Sequence, residues 1–466
     1  MNKSFKGTLE GRNVSSNGHI EVEKLPRSPE CGVSYWLNSP NGRSAYTHQL
    51  FRFPAKFHPP VVRWALRKYG RKGSLLLDPF TGSGTVQVEA LVRGIPSVGI
   101  DIDPLACLVA EAKTTPLNPA QLQTALDKIK QLLARVAHAH ADREARGGTD
   151  ISEQRFEKEA RYLAIPPIPN ITHWFRRYVV IDLARILESI DRVELSKRER
   201  RFFRACFAAI IRRVSNADPA PVSGLEVTSI QAQRNAKRKI RVYEDFFVKT
   251  QQAIAGMKHL WEASAQIKKT VHATVAFGSA FDLKGVLKKI HAVRDDVSLV
   301  ITSPPYCRAV EYSRRHQLEL YWLGFVDNPD EHVELTHSYI GRKLVRKCDW
   351  NEQMTFGIKR LDACIERIAE KDPVRGRGIR HYFYSMRKVL AQFPKVVKDG
   401  GTVVCVIGDS RCCNVEIPTA DFITDLAGDH LRLKNRFSYA VRNHYMQYGL
   451  WNGDGIKQEH VLVLKR

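Results

Sequence analysis

Two short polar stretches of this 466-residue chain carry the residues whose types and spacing suit chemistry. The first is Asp78-Pro79-Phe80-Thr81-Gly82-Ser83-Gly84-Thr85, which directly follows the apolar residues 75–77. Glycines let backbone N–H groups approach a ligand closely, and the Asp78 carboxylate can accept a hydrogen bond from an ammonium or hydroxyl group. A ligand that uses both features is zwitterionic or a nucleotide.

The second stretch is Ser303-Pro304-Pro305-Tyr306, which lies much later in the chain and follows the apolar segment 297–302. Its two prolines make a rigid tip between a hydroxyl group and an aromatic ring. The first stretch alone could be a nucleotide-binding loop or merely a tight turn. The two stretches together are far more specific than either one alone.

Local patterns predict the elements that position these residues. Residues 75–77 form a buried strand, and the apolar spacing of residues 86–91 is typical of a helix, so Asp78 lies at a strand tip. Residues 97–100 form the next strand, which ends at Asp101. In a doubly wound sheet an acid at this position faces a ribose, and we assign that role to Asp101. Asp103 is predicted to cap a helix over residues 105–113.

In this order the two stretches resemble the amino-group DNA methyltransferases that use S-adenosyl-L-methionine (AdoMet). In that family an Asp-Pro-Phe-x-Gly-x-Gly-Thr loop holds the methionine part of the cofactor, and an (Asp/Asn/Ser)-Pro-Pro-(Tyr/Phe/Trp) tetrapeptide holds the target base. Both patterns are matched in full here, and the Ser form resembles the cytosine-N4 branch. The resemblance covers residues 45–113 and 272–466.

The resemblance implies a set of cofactor-binding residues. The motif before the glycine loop would fold over the methionine end of AdoMet, although on the residues alone an ordinary aromatic core is an equal alternative there. Ser279 stands where the family carries an acid near the adenine, so that contact is in doubt, and Asp282 is the alternative. The implied residues are Lys56, Phe57, His58, Asp78, Phe80, Thr81, Gly82, Gly84, Thr85, Asp101, Ser279 and Asp282.

The tetrapeptide suits transfer to an exocyclic amino group, whose lone pair is delocalised into the base ring. Ser303 and the Pro304 carbonyl can accept the two amino hydrogens, and Pro304 and Pro305 hold that carbonyl in place. Tyr306 offers an aromatic face to a base that has left the duplex stack. No metal and no covalent nucleophile are needed, because a sulfonium is already a strong methyl donor. Cytosine-C5 methylation is disfavoured because the Pro-Cys pair of that class is missing from the sequence.

Charge points to a nucleic-acid partner. The 73 Lys and Arg residues outnumber the 49 Asp and Glu residues, giving a formal net charge of +24 that attracts phosphate backbones. Two basic strips are candidate contacts to double-stranded DNA, although such strips are commonly just solvated surface. Their residues are Arg234, Lys237, Arg238, Lys239 and Arg241 in the first and Arg342 and Lys343 in the second. The resemblance further implies a cognate restriction endonuclease as a possible partner.

The cysteines and the apolar segments indicate where in the cell the protein is expected. The nine cysteines show no zinc-ligand spacing, which predicts reduced thiols, no metal and a cytoplasmic protein associated with the nucleoid through DNA. The N-terminal residues lack the apolar core of a signal peptide, and no apolar run approaches bilayer-spanning length. A membrane role is therefore not expected.

We predict an α/β fold with a doubly wound, mainly parallel, seven-stranded methyltransferase sheet of Rossmann-like type and a helical insertion. Residues 1–45 are assigned to an N-terminal arm, 46–116 and 272–466 to the catalytic domain, and 117–271 to the insertion, a possible DNA-recognition region. The favoured function is cytosine-N4 methylation of DNA. Three alternatives stay open: adenine-N6 methylation of DNA, methylation of an RNA base, and a non-catalytic DNA-binding subunit.

Overall fold

The computed structural model describes most of the chain. It covers residues 7–9, 12–14, 19–37, 45–54, 56–136, 150–218, 225–267, 271–291, 297–307, 311–342, 345–350, 354–440 and 458–466. Lys343 and the loop predicted between the last two strands lie outside these residues.

Eleven strands form one large sheet, and two more form a small antiparallel ribbon. Across the large sheet the order is β1-β2-β3-β4-β12-β13-β9-β8-β5-β6-β7. The strands are β1 (Gly7–Leu9), β2 (Arg12–Val14), β3 (Ile20–Val22), β4 (Ser34–Leu37), β5 (Leu75–Asp78), β6 (Ser97–Asp101), β7 (Ala273–Phe277), β8 (Val297–Thr302), β9 (Val397–Gly408), β10 (Ser410–Cys412), β11 (Val415–Ile417), β12 (Arg432–Ala440) and β13 (Gln458–Lys465).

The centre of the large sheet is parallel. Strand β5 pairs in parallel with β6 and β8, β6 pairs with β7, and β8 pairs with β9. Strand β13 runs antiparallel between β9 and β12, which confirms the predicted closing strand pair. Since parallel strands present their carboxyl ends at one edge, the tips of β5, β6 and β8 come together there.

Helices account for all the regular structure described between Pro119 and Ala265, and others flank the sheet. They are α1 (Pro59–Tyr69), α2 (Thr85–Leu91), α3 (Pro104–Thr114), α4 (Pro119–Ala134), α5 (Glu153–Ala160), α6 (Ile171–Trp174), α7 (Arg177–Arg192), α8 (Lys197–Val214), α9 (Ser229–Lys237), α10 (Val242–Ala265), α11 (Leu283–Lys289), α12 (Tyr312–Arg315), α13 (Gln317–Trp322), α14 (Pro329–Ser338), α15 (Lys359–Ala369), α16 (Pro373–Leu390), α17 (Phe393–Val396) and α18 (Thr419–Ala427), with 3-10 turns at Ala280–Asp282 and Lys347–Asp349.

Alternate residues of each central strand face opposite sides of the sheet, and helices cover both faces. Leu76 points into a cluster with helix α1, whereas Leu77 points into a second cluster with helices α15, α16 and α18. Helices α4, α7, α8 and α10 bury a third cluster, which also includes α3 and α13. The fold is therefore the doubly wound α/β sheet that the sequence predicts.

The sheet is wider than the seven strands expected. Strand β4 adds in parallel to β12, with Tyr35 paired to Tyr439, and β3 pairs in parallel with β4. Strands β2 and β1 continue the same sheet outward. Part of the predicted N-terminal arm thus extends the sheet.

Candidate active site

A cavity lies where β5, β6, β7 and β8 end. Its empty volume is about 870 Å³, counted out to the open mouth. The predicted site residues that line it are Lys56, Phe57, Asp78, Phe80, Thr81, Gly82, Thr85, Asp101, Ser279, Ser303 and Pro305. The cavity thus brings the glycine loop together with the start of the tetrapeptide.

Contacts on both sides fix the glycine loop. Gly82 and Gly84 have φ values of 47° and 71°, which favour glycine. A Cβ atom on Gly84 would lie 2.9 Å from the Cβ of Ala110, so the loop packs tightly on α3. The buried Lys113 ammonium donates to the carbonyl oxygen of Ser83, and burial holds the pKa of Lys113 well below its usual range. The loop is therefore held in one shape.

Asp78 ends β5 and is buried under the cavity. Its Oδ1 accepts hydrogen bonds from Thr302 Oγ1 at 2.8 Å and from the Phe80 backbone N at 3.2 Å. Burial raises the pKa of Asp78 to about 7, although these two hydrogen bonds oppose the rise. A neutral acid at this position becomes a carboxylate more readily when a cation lies beside it.

Asp101 ends β6 and connects the loop to the neighbouring strand. Its Oδ2 accepts a hydrogen bond from the Gly82 backbone N at 2.7 Å, and its Oδ1 accepts one from the Asp103 N at 3.0 Å. Burial, followed by the nearby charge of Asp103, raises the pKa of Asp101 to about 7. The cavity therefore holds two acids whose ionisation is suppressed while no cation balances them.

Asp103 joins the two halves of the site. Its Oδ1 accepts a hydrogen bond from the Leu105 N at 2.8 Å and so caps α3, as predicted. Its Oδ2 lies 2.7 Å from Nδ1 of His316, whose ring packs 5.0 Å from that of Phe53. Tyr312 stacks on Phe53 at 5.9 Å and lines the cavity. No local sequence motif marks His316 or Tyr312 as site residues, because these contacts join distant parts of the chain.

Glu459 and Tyr439 hold the tetrapeptide from neighbouring strands at the same edge of the sheet. Ser303 Oγ lies 3.4 Å from the Tyr306 hydroxyl, which donates to Glu459 Oε1 at 2.7 Å. The Tyr439 hydroxyl donates to the other oxygen of Glu459. Burial raises the pKa of Glu459, although both tyrosine hydrogen bonds oppose the rise. Glu459 is missing from the sequence prediction, since no local motif marks it.

Several predicted residues lie beside the cavity without lining it. Gly84 packs on α3, Pro304 is buried, and Tyr306 is half-buried with its hydroxyl bonded to Glu459. His58 occupies the N-cap position of α1, and its ring packs against Tyr439 at 5.7 Å. Asp282 is exposed and accepts a hydrogen bond from the Gly285 N at 3.0 Å, so it caps α11.

The segment before α1 is anchored beneath the glycine loop. Lys56 Nζ donates to the carbonyl oxygen of His48 at 2.5 Å, and His48 Nε2 lies 3.0 Å from Glu89 Oε1 in the core. Burial raises the pKa of Glu89, but hydrogen bonds from His48 and Arg63 outweigh it and lower this pKa to about 2. The charged Glu89 thereby fixes the segment that carries Lys56 and Phe57.

The basic residues divide by environment. Arg234, Lys237 and Lys239 are exposed on or just after α9, and Arg241 is exposed but lies 3.1 Å from Glu244. Arg238 is partly buried and donates to the carbonyl oxygen of Ser215 at 3.3 Å. Arg342 is buried and pairs with Asp349 at 2.5 Å, which leaves its guanidinium little surface for a phosphate. Of the strip residues that the structure describes, exposed cations are found in the first strip.

Within the ranges that the structure describes, no cluster of three or more His, Cys, Asp or Glu side chains could hold a metal ion. No helix in that part of the chain is long and apolar enough to cross a membrane.

The chain is similar to Type II methyltransferases along most of its length. Type II methyltransferase M.MvaI from Kocuria varians is 22% identical over 421 residues, which cover 87% of this chain and 86% of that protein. Type II methyltransferase M.BsoBI from Geobacillus stearothermophilus is 22% identical over 433 residues, covering 85% and 80%. These relatives support methyl transfer as the reaction.

Two further comparisons carry less weight. Type II methyltransferase M.MjaII from Methanocaldococcus jannaschii is 37% identical, but over 91 residues that cover 20% of this chain and 17% of that protein. The rRNA methyltransferase aviRa from Streptomyces viridochromogenes aligns over 92% of this chain with 11% identity and a TM-score of 0.32, which is too low to support an argument. No protein-family model matches the chain.

Proposed function

We propose that this chain is an amino-group DNA methyltransferase that methylates N4 of a cytosine extruded from double-stranded DNA. The observation that carries the proposal is the placement of Ser303 and Pro305 in the same cavity as the glycine loop and its two acids. One cavity then offers a cofactor subsite and a base subsite side by side. The similarity to Type II methyltransferases supports methyl transfer to DNA as the reaction class.

The residues of the cavity fit AdoMet. AdoMet would supply a sulfonium-bound methyl group that is already activated for transfer. Asp78 would hold the ligand's ammonium group, and Asp101 would accept hydrogen bonds from ribose hydroxyls. Buried acids with raised pKa values are suited to a cationic ligand, because the cation restores their charge. Phe57 and Phe80 would cover the apolar part of the methionine chain.

The tetrapeptide would prepare the nucleophile. Ser303 Oγ, which lines the cavity, would accept one amino hydrogen, and by the resemblance the Pro304 carbonyl would accept the other, which concentrates electron density on nitrogen and aligns its lone pair. Tyr306 provides a stacking face that takes the place of the neighbouring bases. The serine in the first position favours cytosine over adenine as the target, by resemblance to the cytosine-N4 branch.

The exposed cations of α9 would contact the DNA backbone. Glu226, just before α9, lies 3.4 Å from Arg314 of α12, and Arg212 of α8 donates to the Arg315 carbonyl at 3.3 Å. Helix α12 carries Tyr312, which lines the cavity. The segment that leads into the basic strip therefore lies beside the helix that carries Tyr312, and the proposed duplex would run along this side of the cavity. A cognate restriction endonuclease is the partner that this activity implies.

The test is a product analysis. Purified protein is incubated with AdoMet and mixed-sequence duplex DNA, the DNA is digested to nucleosides, and the nucleosides are identified by mass spectrometry. We expect N4-methylcytosine, and none from Tyr306→Ala, which should still bind AdoMet. N6-methyladenine would move the target to the alternative base, whereas methylation of RNA alone would overturn the DNA assignment.

A further inference from the structure

A carboxylate outside the tetrapeptide closes a hydrogen-bond chain that begins at the proposed base subsite. Glu459 lies on β13, directly across from Tyr439 of β12. Its two oxygens accept hydrogen bonds from Tyr306 and Tyr439. The hydrogen-bond chain Ser303–Tyr306–Glu459 then runs from the cavity wall to the start of β13, with oxygen–oxygen distances of 3.4 Å and 2.7 Å.

The negative charge of Glu459 sets the donor and acceptor in each hydrogen bond from Ser303 through Tyr306 to Glu459. A carboxylate has no proton to donate. The Tyr306 hydroxyl therefore donates its single proton to the hydrogen bond with Glu459. The Tyr306 oxygen is then free to accept the proton of Ser303. Ser303 Oγ therefore presents lone pairs to the cavity, which is what an amino group of a base requires, since that group only donates.

Methylation creates a proton that must leave. When the nitrogen lone pair forms the new C–N bond and the C–S electron pair stays on sulfur, the amino nitrogen carries a positive charge until one of its hydrogens departs. We propose that Glu459 accepts this proton through Tyr306 and Ser303. Ser303 Oγ takes the amino proton and passes its own to Tyr306, which passes its own to Glu459. The nitrogen ends neutral, and Glu459 ends as a neutral carboxylic acid.

This inference rests on the proposed function and adds a residue that acts through the tetrapeptide. The 2.7 Å link is ordinary for two oxygens, and the 3.4 Å link is long, as catalytic hydrogen bonds often are before substrate binds. The titratable groups that face Glu459 are Tyr306 from the tetrapeptide and Tyr439 from β12, while Tyr312 of α12 also feels its charge. Burial of Glu459 raises its pKa and so makes it a better base than an exposed glutamate.

The experiment compares Glu459→Gln with the wild type in single-turnover methylation of duplex DNA. Gln keeps the shape of the side chain but cannot accept a proton. We expect kcat to fall about 100-fold, a size typical for loss of a general base, while the AdoMet Kd stays within about twofold. Glu416→Gln, an exposed acid on β11, is the matched control and should keep the wild-type rate.

The pH profile separates proton acceptance from a structural role. Glu459 must be ionised, so wild-type kcat should fall as pH drops through its raised pKa, and Glu459→Gln should lack this acid limb. Tyr439→Phe removes one hydrogen-bond donor to the carboxylate and should move the limb to higher pH. A structural brace would show no such shift.

A double variant tests the route. Tyr306→Phe keeps the ring but removes the middle link, so Glu459→Gln should cost nothing further in that background. Wild-type kcat and pH profile in Glu459→Gln, or full additivity with Tyr306→Phe, would overturn the inference while leaving the proposed function intact. A wild-type protein that forms no methylated base would instead remove the proposed function and this inference with it. Thermal melting checks that each variant is folded.

Discussion

The acid at the tip of β5 predicts how the binding of AdoMet depends on pH. Asp78 is buried, and its pKa rises from 3.8 to about 7. This shift corresponds to about 4 kcal/mol against ionisation at about 1.36 kcal/mol per unit. An ion pair with the ammonium group of AdoMet requires the ionised form of Asp78. Binding of AdoMet is therefore coupled to loss of the Asp78 proton.

The size of the effect follows from the ionised fraction. With a pKa of about 7, Asp78 is ionised in roughly 1% of molecules at about pH 5 and in roughly half at about pH 7, so the AdoMet Kd should be about 50-fold weaker at the lower pH. The ligand's own ammonium stays charged throughout this window. Asp101 has a similarly raised pKa and should steepen the dependence in the wild type.

Isothermal titration calorimetry over this pH range, in two buffers of different ionisation enthalpy, measures both the Kd and the protons released on binding. Asp78→Asn should bind more weakly near pH 7 and retain only the dependence that belongs to Asp101. Asp399→Asn, whose side chain is 95% exposed, is the matched control and should behave as the wild type. A wild-type Kd that stays constant between about pH 5 and about pH 7 would refute the assignment of these acids to the cofactor.

Two further predictions test the loop and the DNA surface. Gly84→Ala places a Cβ atom 2.9 Å from that of Ala110, at a backbone φ of 71°. We expect the free energy of unfolding, measured with urea, to fall by about 2 kcal/mol. A change below about 0.5 kcal/mol would contradict the packing argument. Replacing by Gln the three exposed cations of the first strip that no ion pair engages should lower the slope of log Kd for DNA against log salt by roughly 2.7. Lys398→Gln, at the opposite end of the sheet, should leave the slope unchanged, and an unaltered slope in the triple variant would remove the strip from the DNA surface. The three residues are Arg234, Lys237 and Lys239.

Local sequence patterns predicted the parts of the site that lie at strand tips. Asp78 and Ser303 each follow a short apolar run, and the chemistry of a strand–loop–helix unit is contained within a few residues. Asp103 was predictable as a helix cap for the same reason. The order of the central strands then brought these tips to one edge of the sheet.

The rest of the site depends on pairings between distant segments. Glu459 meets Tyr306 across 153 residues of sequence, and the registers of β13 on β9 and of β9 on β8 decide that contact. Strand β4 pairs with β12 across a still longer stretch of sequence, so the short apolar group at residues 33–37 gave no sign that it extends the sheet. Asp282 was a plausible partner for adenine by position, but the local cap that it forms for α11 takes its carboxylate.

Strand β13 has a consequence for the making of the protein. It is the last described strand to be synthesised, yet it is inserted between β9 and β12 and carries Glu459. A nascent chain on the ribosome can join β5 to β6 early, but it must leave a gap in the sheet until residues 458–465 emerge. Copies halted before that point lack both an internal strand and the support of Tyr306. We therefore expect ribosome-stalled or prematurely terminated products to be inert toward DNA, so that the genome is modified only by copies translated through β13.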